Sequence, residues 1–389
     1  MSLYRRVLHA SLLMKVGFSF LVLSCLVSGC SIVPQSATVV ANGSGETIDR
    51  ATEQFMQQMI ATEHFSGVIM VQKGGRVVHK GAYGPSSEGR LNKVNDRFHV
   101  ASMTKQFTAA AIMKLVERGK VKLDGRINDY LPEKYRSDIW SGVEVRHLLS
   151  HTSGIPDYAE TRDYYDVVDG WAFGGTVDGM IREAMVSPLE FAPGAEFRYS
   201  NIGYTLLGQV IEAQTGDMFS DHIRQQLLVP LGMWSSEIHD EHYMPEARDA
   251  SGLRWDEQRE RHVKDDVVSL PVTPPDGGLV TTLDDFARWM TIYGKTGSPV
   301  APKSLVDRMM KQSAPTETYR WPERNMRGTA FYGFGLMRSG DLVMHEGYIV
   351  GFRSYFIYSR DDDLLIAVFS NNTHNDVYRI ASGLFSLNA

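Results

Sequence analysis

The spacing of apolar residues predicts strands near both ends of the chain and helices between them. Residues 48–59 carry apolar side chains at helical spacing, which predicts an opening amphipathic helix. Two extended runs follow at 68–72 and 76–83, and the Gly74-Gly75 pair between them predicts a hairpin. The N-terminal part of the domain therefore contributes one helix and two paired strands.

A second helical pattern begins at Ser102, directly after the extended residues 98–101, and ends at Gly119. The middle of the chain is then mostly helical, and strands return at 333–338, 342–345, 354–358 and 364–370. Strands at both ends with helices between them predict an α+β fold. We expect one antiparallel sheet built from the N- and C-terminal segments and flanked by helices, with an inserted, mostly helical lobe.

The first 30 residues have the pattern of an export signal. Basic residues precede an apolar run at 16–26, which is too short to span a bilayer comfortably. The run ends in Val27-Ser28-Gly29-Cys30, which resembles a bacterial lipobox, with cleavage before the cysteine and a lipid on its thiol. A plain signal peptide and an uncleaved anchor are the alternatives.

The lipobox interpretation divides the chain into three parts. Residues 1–29 are the lipoprotein signal peptide, 30–45 form a small, polar tether that starts at the lipidated Cys30, and 46–389 form the folded domain. Ser31 after the cysteine resembles the pattern of outer-membrane sorting in Gram-negative bacteria. We therefore expect a lipid-anchored protein of the bacterial cell envelope, held at the outer membrane and facing the periplasm.

The composition of the chain argues against nucleic-acid binding and against sites that depend on cysteine. The formal net charge of −6 at pH 7 gives no reason to expect nucleic-acid binding. Cys25 and Cys30 are the only two cysteines, so the mature domain has no thiol for a disulfide or a cysteine-based metal site. About 340 residues can bury enough apolar surface to be stable without such cross-links.

Ser102-Met103-Thr104-Lys105 stands at the start of the second helical pattern. Helical residues three apart lie on one face with Cβ atoms about 5–6 Å apart, so the Lys105 amine can reach the Ser102 hydroxyl. A serine needs a base to become a nucleophile, and a lysine kept neutral by burial can be that base. An ordinary solvated pair on a surface helix satisfies the same spacing.

Tyr199-Ser200-Asn201 follows Pro193-Gly194 and precedes a helical pattern at 204–213. A phenol can pass on a proton, and a carboxamide can donate and accept a hydrogen bond at once. Ser200 and Asn201 also suit the N-cap of the following helix. The triplet therefore predicts either a substrate-binding element or a helix cap.

His345-Glu346-Gly347 lies on a C-terminal strand and is followed by Tyr348. A glycine at this point lets a substrate lie close to the strand, and the next backbone amide can donate to an oxyanion. The triplet is therefore a candidate wall of a substrate site.

Lys295-Thr296-Gly297 is a second possible motif of this kind. It follows an amphipathic helix at 283–293, where a lysine near the end and a glycine just beyond it are ordinary C-terminal capping residues. We do not expect this triplet on a strand or in a site.

The order Ser-x-x-Lys, Tyr-x-Asn and His-x-Gly resembles the serine β-lactamase and penicillin-binding family, specifically its class C β-lactamase-related branch. That branch includes D-alanyl-D-alanine carboxypeptidases, D-aminopeptidases and esterases. Four further segments are similar to blocks of the family in the family's order: 98–108, 148–156, 277–279 and 332–335. The resemblance covers residues 46–385 and implies a β-lactamase/transpeptidase-like fold.

The resemblance implies a serine hydrolase that acts through a covalent acyl-enzyme, with no metal and no other cofactor. Ser102 would be the acylated nucleophile, Lys105 its proton acceptor, and Tyr199 the group that passes the proton onward. Lys105 and Tyr199 both remain candidates for the effective base, because such pairs titrate together.

The remaining implied roles concern the substrate, which would be a small molecule or a peptide. Asn201 would orient its acyl side chain, and His345 and Gly347 would line the opposite wall. The backbone amides of Ser102 and Tyr348 would form the oxyanion hole. The block that contains His151 resembles a structural loop of the family, so we expect no direct catalytic role for that residue.

Glu346 departs from the family pattern, in which Lys-Thr or His-Thr usually stands where this chain has His345-Glu346. Its negative charge disfavours a substrate carboxylate unless Arg353 compensates, although strand alternation can also turn Glu346 away from the pocket. We therefore expect weak β-lactamase activity at most.

Three functions remain open from the sequence. The first is an esterase or amidase for small neutral or cationic substrates. The second is a D-Ala-D-Ala carboxypeptidase or D-aminopeptidase that acts on cell-wall peptides. The third is a penicillin-binding-like sensor or binding module without turnover, against which the retention of Ser102, Lys105, Tyr199 and Asn201 argues. The sequence does not define an oligomeric state.

Overall fold

An eight-stranded antiparallel sheet forms the centre of the fold. The computed structural model describes residues 49–157, 176–265, 273–295, 297–311 and 330–389, together with the backbone of 38–39. The strands are β1 (Thr38–Val39), β2 (Gly67–Lys73), β3 (Arg76–Tyr83), β4 (Pro85–Ser87), β5 (Arg90–Leu91), β6 (Phe98–His99), β7 (Glu237–Ile238), β8 (Leu253–Asp256), β9 (Arg261–Lys264), β10 (Leu279–Thr281), β11 (Phe331–Tyr332), β12 (Met337–Ser339), β13 (Leu342–Ile349), β14 (Phe352–Ser359) and β15 (Leu364–Ser370).

The order of the main sheet is β1-β3-β2-β15-β14-β13-β12-β11. The pairing of β15 with β2 joins the C-terminal strands to the N-terminal hairpin, with Ser370 opposite Gly67 and Leu364 opposite Lys73. Gly74 and Gly75 connect β2 to β3 with φ values of 58° and 73°, which a residue with a Cβ rarely adopts. The predicted hairpin and the sheet shared by both ends of the chain are confirmed.

Helices cover both faces of the sheet. They are α1 (Arg50–Glu63), α2 (Lys105–Glu117), α3 (Val145–Leu149), α4 (Val177–Val186), α5 (Asn201–Thr215), α6 (Phe219–Ile223), α7 (Pro274–Gly277), α8 (Leu283–Met290), α9 (Lys303–Met309) and α10 (Val377–Asn388). A π-helical turn spans Arg224–Leu228, and 3-10 turns span Ala101–Thr104, Ile127–Asp129, Glu133–Tyr135, Asp138–Trp140, Val229–Leu231 and Thr291–Tyr293.

The two faces of the sheet pack into two separate apolar clusters. The smaller cluster joins one face to α1 and α10, and the larger one joins the other face to α2, α5 and the rest of the helical lobe. Along β13, Val343 belongs to the larger cluster, whereas Leu342 and Met344 belong to the smaller one. The side chains of β13 therefore alternate between the helical lobe and the α1–α10 layer.

The predicted continuous strand at 333–338 is wrong. The structure has two short strands, β11 and β12, with a break between Tyr332 and Met337. Gly335 lies in the break with a φ of 74°, and a Cβ at this position would overlap the Lys105 carbonyl. The chain leaves the strand direction here because it packs directly against the first turn of α2.

The N-terminal predictions fall mostly outside the described residues. Residues 1–37 and 40–48 are not described, so the signal peptide and the lipidated Cys30 stay predictions. Within the predicted tether, Thr38 and Val39 pair with Ala82 and Gly81 at the edge of the sheet. Among the helices that the structure describes, none has the length and hydropathy of a membrane span.

Candidate active site

The turn before α2 presents Ser102. Strand β6 pairs with β10, and the chain then passes through Ala101, whose φ of 47° is disfavoured for a residue with a Cβ. Val100 donates its N–H to the Leu279 carbonyl at 3.1 Å, and the Leu279 N–H donates to Thr104 Oγ1 at 2.9 Å. These bonds to β10 hold the unusual turn that places Ser102 on the first 3-10 turn before α2.

Lys105 is fully buried, and its Nζ contacts three oxygen atoms. It lies 3.0 Å from Ser102 Oγ, 2.8 Å from Asn201 Oδ1 and 2.9 Å from the carbonyl oxygen of Asp276. Burial lowers the pKa of Lys105 to about 8, against the opposing charges of Asp276 and Asp157. The amine is therefore within reach of the hydroxyl and much less basic than a lysine in water.

Tyr199 lies on the other side of the serine. Its phenol is hydrogen-bonded to Ser102, and Lys105 Nζ lies 5.0 Å from the centre of its ring. Burial raises the pKa of Tyr199 well above its usual range, and the negative charges of Glu346 and Asp276 raise it further. Tyr199 is therefore a neutral phenol that contacts the candidate nucleophile.

Asn201 is the first residue of α5, and its backbone and side chain both donate hydrogen bonds to the Asp157 carboxylate. Asn201 donates its backbone N–H to Asp157 Oδ1 at 2.7 Å and its side-chain Nδ2 to Asp157 Oδ2 at 3.0 Å. Ile202 N also donates to Asp157 Oδ1, at 3.2 Å. Ser200 occupies the N-cap position without a capping side-chain bond. The predicted cap residue is thus replaced by an aspartate 44 residues earlier in the chain.

His345 is fully buried beneath the strand wall and does not face the cleft with a free ring nitrogen. Its Nδ1 lies 2.6 Å from the Glu346 carbonyl oxygen, and its Nε2 lies 2.9 Å from the Tyr332 hydroxyl. Burial lowers the pKa of His345 to about 3. The ring is therefore neutral, donating from Nδ1 to the carbonyl and accepting from the phenol at Nε2.

Gly347 allows β13 to approach the turn that carries the serine. A Cβ at this position would overlap the Val100 carbonyl oxygen and the Ser354 hydroxyl. Ser354 Oγ donates to the same carbonyl at 2.9 Å. The sequence predicted a glycine here for the close approach of a substrate. The structure shows a different reason, because the strand backbone packs against the protein's own turn.

Glu346 lies on the face of β13 opposite to His345. It follows Leu342 and Met344, which pack toward the α1–α10 layer, whereas His345 and Gly347 point toward the helical lobe. Its side chain is half-buried, and its charge still raises the pKa of Tyr199. The negative charge of Glu346 therefore acts on Tyr199 although the two faces of β13 separate its side chain from that of His345.

Tyr348 and Arg353 stand opposite each other where β13 and β14 pair. Tyr348 is 52% exposed, and the Arg353 guanidinium lies 4.1 Å from the centre of its ring. Arg353 Nε also donates to the Thr373 carbonyl at 3.1 Å. Arg353 is thus held at the end of the strand wall by one hydrogen bond to Thr373 and by its contact with the Tyr348 ring.

Aromatic rings enclose His151 behind the site. Its ring centre lies 4.2 Å from that of Tyr199, 4.6 Å from that of Tyr332 and 5.1 Å from that of Tyr204. Ser200 donates its N–H to His151 Nδ1 at 3.1 Å, so the ring proton is on Nε2. His151 therefore supports the Tyr199-Ser200 segment, and its burial lowers its pKa well below the usual range.

Sequence reasoning missed two residues of the site, Asp157 and Asp276. Asp157 directly follows the block 148–156, and Asp276 directly precedes the block 277–279. Neither residue belongs to one of the three catalytic motifs. The available signal was that each residue lies directly beside a segment that is similar to a block of the family. In the residues that the structure describes, no group of three or more His, Cys, Asp or Glu side chains is placed to hold a metal ion.

A half-buried serine in contact with a fully buried lysine, beside a phenol and a carboxamide on this sheet and helical lobe, is the arrangement of a serine hydrolase of the acyl-transfer type. Residues 48–385 match the family described as Beta-lactamase. The chain belongs to this family, and it is a serine hydrolase.

Individual relatives agree with the family assignment. Penicillin-binding protein 4* of Bacillus subtilis is 28% identical over 358 residues, which cover 84% of this chain and 73% of the relative. Protein flp of Staphylococcus aureus is 27% identical over 85% of this chain, and the match spans 64% of its own length. The curated relatives are therefore longer than the part that they share with this chain.

Solved structures show the same fold. An octameric penicillin-binding protein homologue from Pyrococcus abyssi has a TM-score of 0.73 at 30% identity, covering 86% of this chain and 76% of that one. A D-amino acid amidase from Ochrobactrum anthropi has a TM-score of 0.72 at 21% identity, covering 87% of this chain and 98% of that one. The second comparison concerns the fold alone. Together they confirm the predicted β-lactamase/transpeptidase-like architecture.

Proposed function

We propose that Ser102 is the residue acylated during hydrolysis and that Lys105 accepts its proton. The observation that carries the proposal is the 3.0 Å contact between Ser102 Oγ and the Nζ of the fully buried Lys105. With a pKa of about 8, about a tenth of the lysine is neutral at pH 7, whereas an exposed lysine is almost entirely protonated. Burial thus prepares the base before substrate binds.

The other site residues complete the reaction in this proposal. Ser102 Oγ forms a bond to the substrate carbonyl carbon as its proton moves to Lys105, and the backbone amides of Ser102 and Tyr348 hold the oxyanion. As the bond to the leaving group breaks, Tyr199 gives its proton to that group and takes up in turn the proton that Lys105 accepted from Ser102. Water then hydrolyses the acyl-enzyme, and Asn201 orients the acyl group.

The strand wall favours a small ester or amide that is neutral or cationic near the scissile bond. Glu346 lies on the opposite face of β13, yet its negative charge raises the pKa of Tyr199, so it also disfavours a substrate carboxylate bound beside Tyr199. His345 is neutral and its ring nitrogens are bonded to protein groups, so it supplies no compensating positive charge. Penicillins carry such a carboxylate, and weak β-lactamase activity at most follows from this arrangement.

A peptidase acting on cell-wall peptides is the second candidate. Its support is the predicted location, a lipid anchor on Cys30 at the outer membrane facing the periplasm, where peptidoglycan lies nearby. The names of the relatives, which include penicillin-binding proteins and a D-amino acid amidase, point to the same substrate chemistry. Cys30→Ala should move the protein from the membrane fraction to the soluble fraction, and unchanged membrane attachment would remove the lipid anchor from the proposal.

Intact-mass spectrometry tests both candidates. The full chain in detergent would be incubated with a p-nitrophenyl ester, a D-amino acid amide, a D-Ala-D-Ala peptide and a penicillin. We expect a transient adduct on Ser102 with the ester or the amide and slow acylation by the penicillin. Rapid turnover of the penicillin would contradict the specificity proposal, and a permanent adduct with every probe would identify a sensor.

A further inference from the structure

We propose that Asp157 is a positioning residue that sets the direction of the Lys105 lone pair by holding the Asn201 carboxamide in one orientation. This inference rests on the proposed role of Lys105 as the proton acceptor. Asp157 reaches the reacting atoms through Asn201, whose Nδ2 faces Asp157 and whose Oδ1 faces Lys105. The three side chains therefore form a chain of contacts that ends at Ser102.

The direction of the Lys105 lone pair follows from the hydrogen bonds that its Nζ makes. A neutral amine has two N–H bonds and one lone pair. Of the three oxygens within 3.0 Å of Lys105 Nζ, Asn201 Oδ1 and the Asp276 carbonyl can only accept hydrogen bonds. They take both N–H bonds, so the lone pair faces Ser102 Oγ, the one neighbour with a proton to give. This arrangement allows direct proton transfer from the hydroxyl to the amine.

The opposite orientation of the Asn201 carboxamide would block proton transfer to Lys105. Rotated by 180°, Asn201 would present Nδ2 to Lys105 and donate to its lone pair. One N–H of the lysine would then point at Ser102 and could not accept its proton. The rotated amide would also bring its oxygen to the position 3.0 Å from Asp157 Oδ2, where two acceptors would face each other. The ionised Asp157 therefore disfavours the unproductive orientation.

Asp157 uses its two oxygens for different tasks. Oδ1 accepts the backbone N–H groups of Asn201 and Ile202 and so caps α5, whereas Oδ2 accepts the side-chain amide of Asn201. The structural and positioning roles are therefore carried by separate atoms of one side chain. Asp157→Asn can keep the capping oxygen and replace the other oxygen by a donor of nearly the same size.

Protonation of Asp157 should have the same effect as this substitution, because it also creates a donor. Burial raises the pKa of Asp157 to about 6, and the nearby Asp276 raises it while Lys105 lowers it. The imidazoles near Lys105, His151 and His345, are neutral in this range because burial lowers their pKa values, and the nearby phenols of Tyr199 and Tyr204 are neutral because burial raises theirs. The Asp276 carboxylate also faces Lys105, with Oδ2 3.8 Å from Nζ. Acylation should therefore lose an additional factor as the pH falls through about 6, beyond the loss due to protonation of Lys105.

A double-mutant cycle tests the proposal on the full chain with the p-nitrophenyl ester. The variants are Asp157→Asn, Asn201→Ala and their combination. We expect Asp157→Asn to lower the acylation rate constant about 10- to 100-fold, as for partial loss of a general base. In the Asn201→Ala background, Asp157→Asn should have almost no further effect, because the residue through which it acts is gone.

Asp285→Asn is the matched control. Asp285 is also buried, and its Oδ2 accepts from Ser235 N at 2.7 Å and from Ser236 Oγ at 2.8 Å in another part of the fold. It should change the acylation rate less than twofold while lowering the melting temperature by about as much as Asp157→Asn. If the losses of Asp157→Asn and Asn201→Ala multiply, Asp157 acts by a route other than Asn201 and the proposal fails.

The orientation itself can be measured without activity. With ¹⁵N-labelled asparagine, the Asn201 side-chain amide should show slowed hydrogen exchange in the parent protein and a shift that titrates near pH 6. Both features should disappear in Asp157→Asn. A protein that forms no Ser102 adduct but retains them would overturn the proposed function and leave the Asp157–Asn201 contact established, whereas their absence in the parent would overturn the positioning role.

Discussion

The two walls of the cleft differ in how they are fixed. On the helical side, Lys105 is fully buried with three oxygen contacts, and Asn201 is held between it and Asp157. On the strand side, the backbone is fixed at Gly347, but Glu346 is half-buried and Tyr348 is largely exposed. From this comparison we expect the side chains that make and break bonds to lie on the helical wall and the side chains that select the substrate to lie on the strand wall, which also provides the Tyr348 backbone amide. Variants of the first should slow every substrate, and variants of the second should change the ratio between substrates.

Loss of the nucleophile is the strongest test of the helical wall. Ser102→Ala should abolish adducts with all four probes, because it removes the hydroxyl that contacts Lys105 and forms the acyl bond in the proposal. Intact mass after trapping with acid measures this directly. Ser382→Ala, on α10 beyond the other face of the sheet, is the control and should acylate normally. An adduct that survives Ser102→Ala would assign the nucleophile elsewhere.

Loss of the base should also affect all substrates, by a smaller factor. Lys105→Ala should lower the acylation rate constant about 10²- to 10⁴-fold. Stopped-flow release of p-nitrophenol provides the measurement. Lys114→Ala, nine residues later on α2, removes a lysine that donates to the Val300 carbonyl and should leave the rate nearly unchanged.

The pH profile provides a further check on Lys105. Because its pKa is lowered to about 8 and only the neutral amine accepts a proton, the acylation rate should rise with pH up to about 8 and then level. A rate that levels well below pH 7 would mean that a different group is the base.

Substitution of Glu346 should change selectivity more than rate. Glu346→Gln removes the negative charge near Tyr199 and should improve kcat/KM for an anionic penicillin about 3- to 30-fold relative to the neutral ester. Glu257→Gln, at an exposed position between β8 and β9, is the control for loss of a carboxylate. Equal changes for both substrates would contradict the division between the two walls.

The smallest effect is expected at Arg353. Arg353→Met keeps an apolar stem but removes the cation from the Tyr348 ring, an interaction worth about 0.5–1 kcal/mol at an exposed site. The change also removes a positive charge from the end of the strand wall, so KM for anionic substrates should rise about two- to fivefold while kcat stays constant. Steady-state kinetics with a penicillin and a neutral ester measure the difference. A fall in kcat for both substrates would show that Arg353 takes part in the reaction itself.

Local pattern was enough to predict much of the fold. The β2–β3 hairpin, the helix that begins beside Ser102 and the strand at 364–370 follow from residue spacing and from the turn residues between elements. Lys295 and Gly297 lie beyond a helix and outside the strands, as their capping character predicted. These features depend on residues that are neighbours in sequence, so a single sequence contains the information.

Features that depend on distant contacts were not predictable in this way. The break at Gly335 arises because the Lys105 carbonyl occupies the space that a Cβ would need. The cap of α5 comes from Asp157 rather than from the local Ser200. The Lys105 contact with the Asp276 carbonyl joins residues that are 171 positions apart. The roles assigned to Ser102, Tyr199, Asn201 and His345 stay predictions until the variants are measured.

The pairing of β2 with β15 has a consequence for when the enzyme becomes active. Residues about 300 positions apart must meet before this pair forms, and such distant contacts form late in folding. The strand that carries His345 is attached to the N-terminal hairpin only through β14 and β15. A chain still emerging from the ribosome therefore has its serine but no second wall. Hydrolytic activity should appear only after the last strand has been synthesised and has paired with the N-terminal hairpin.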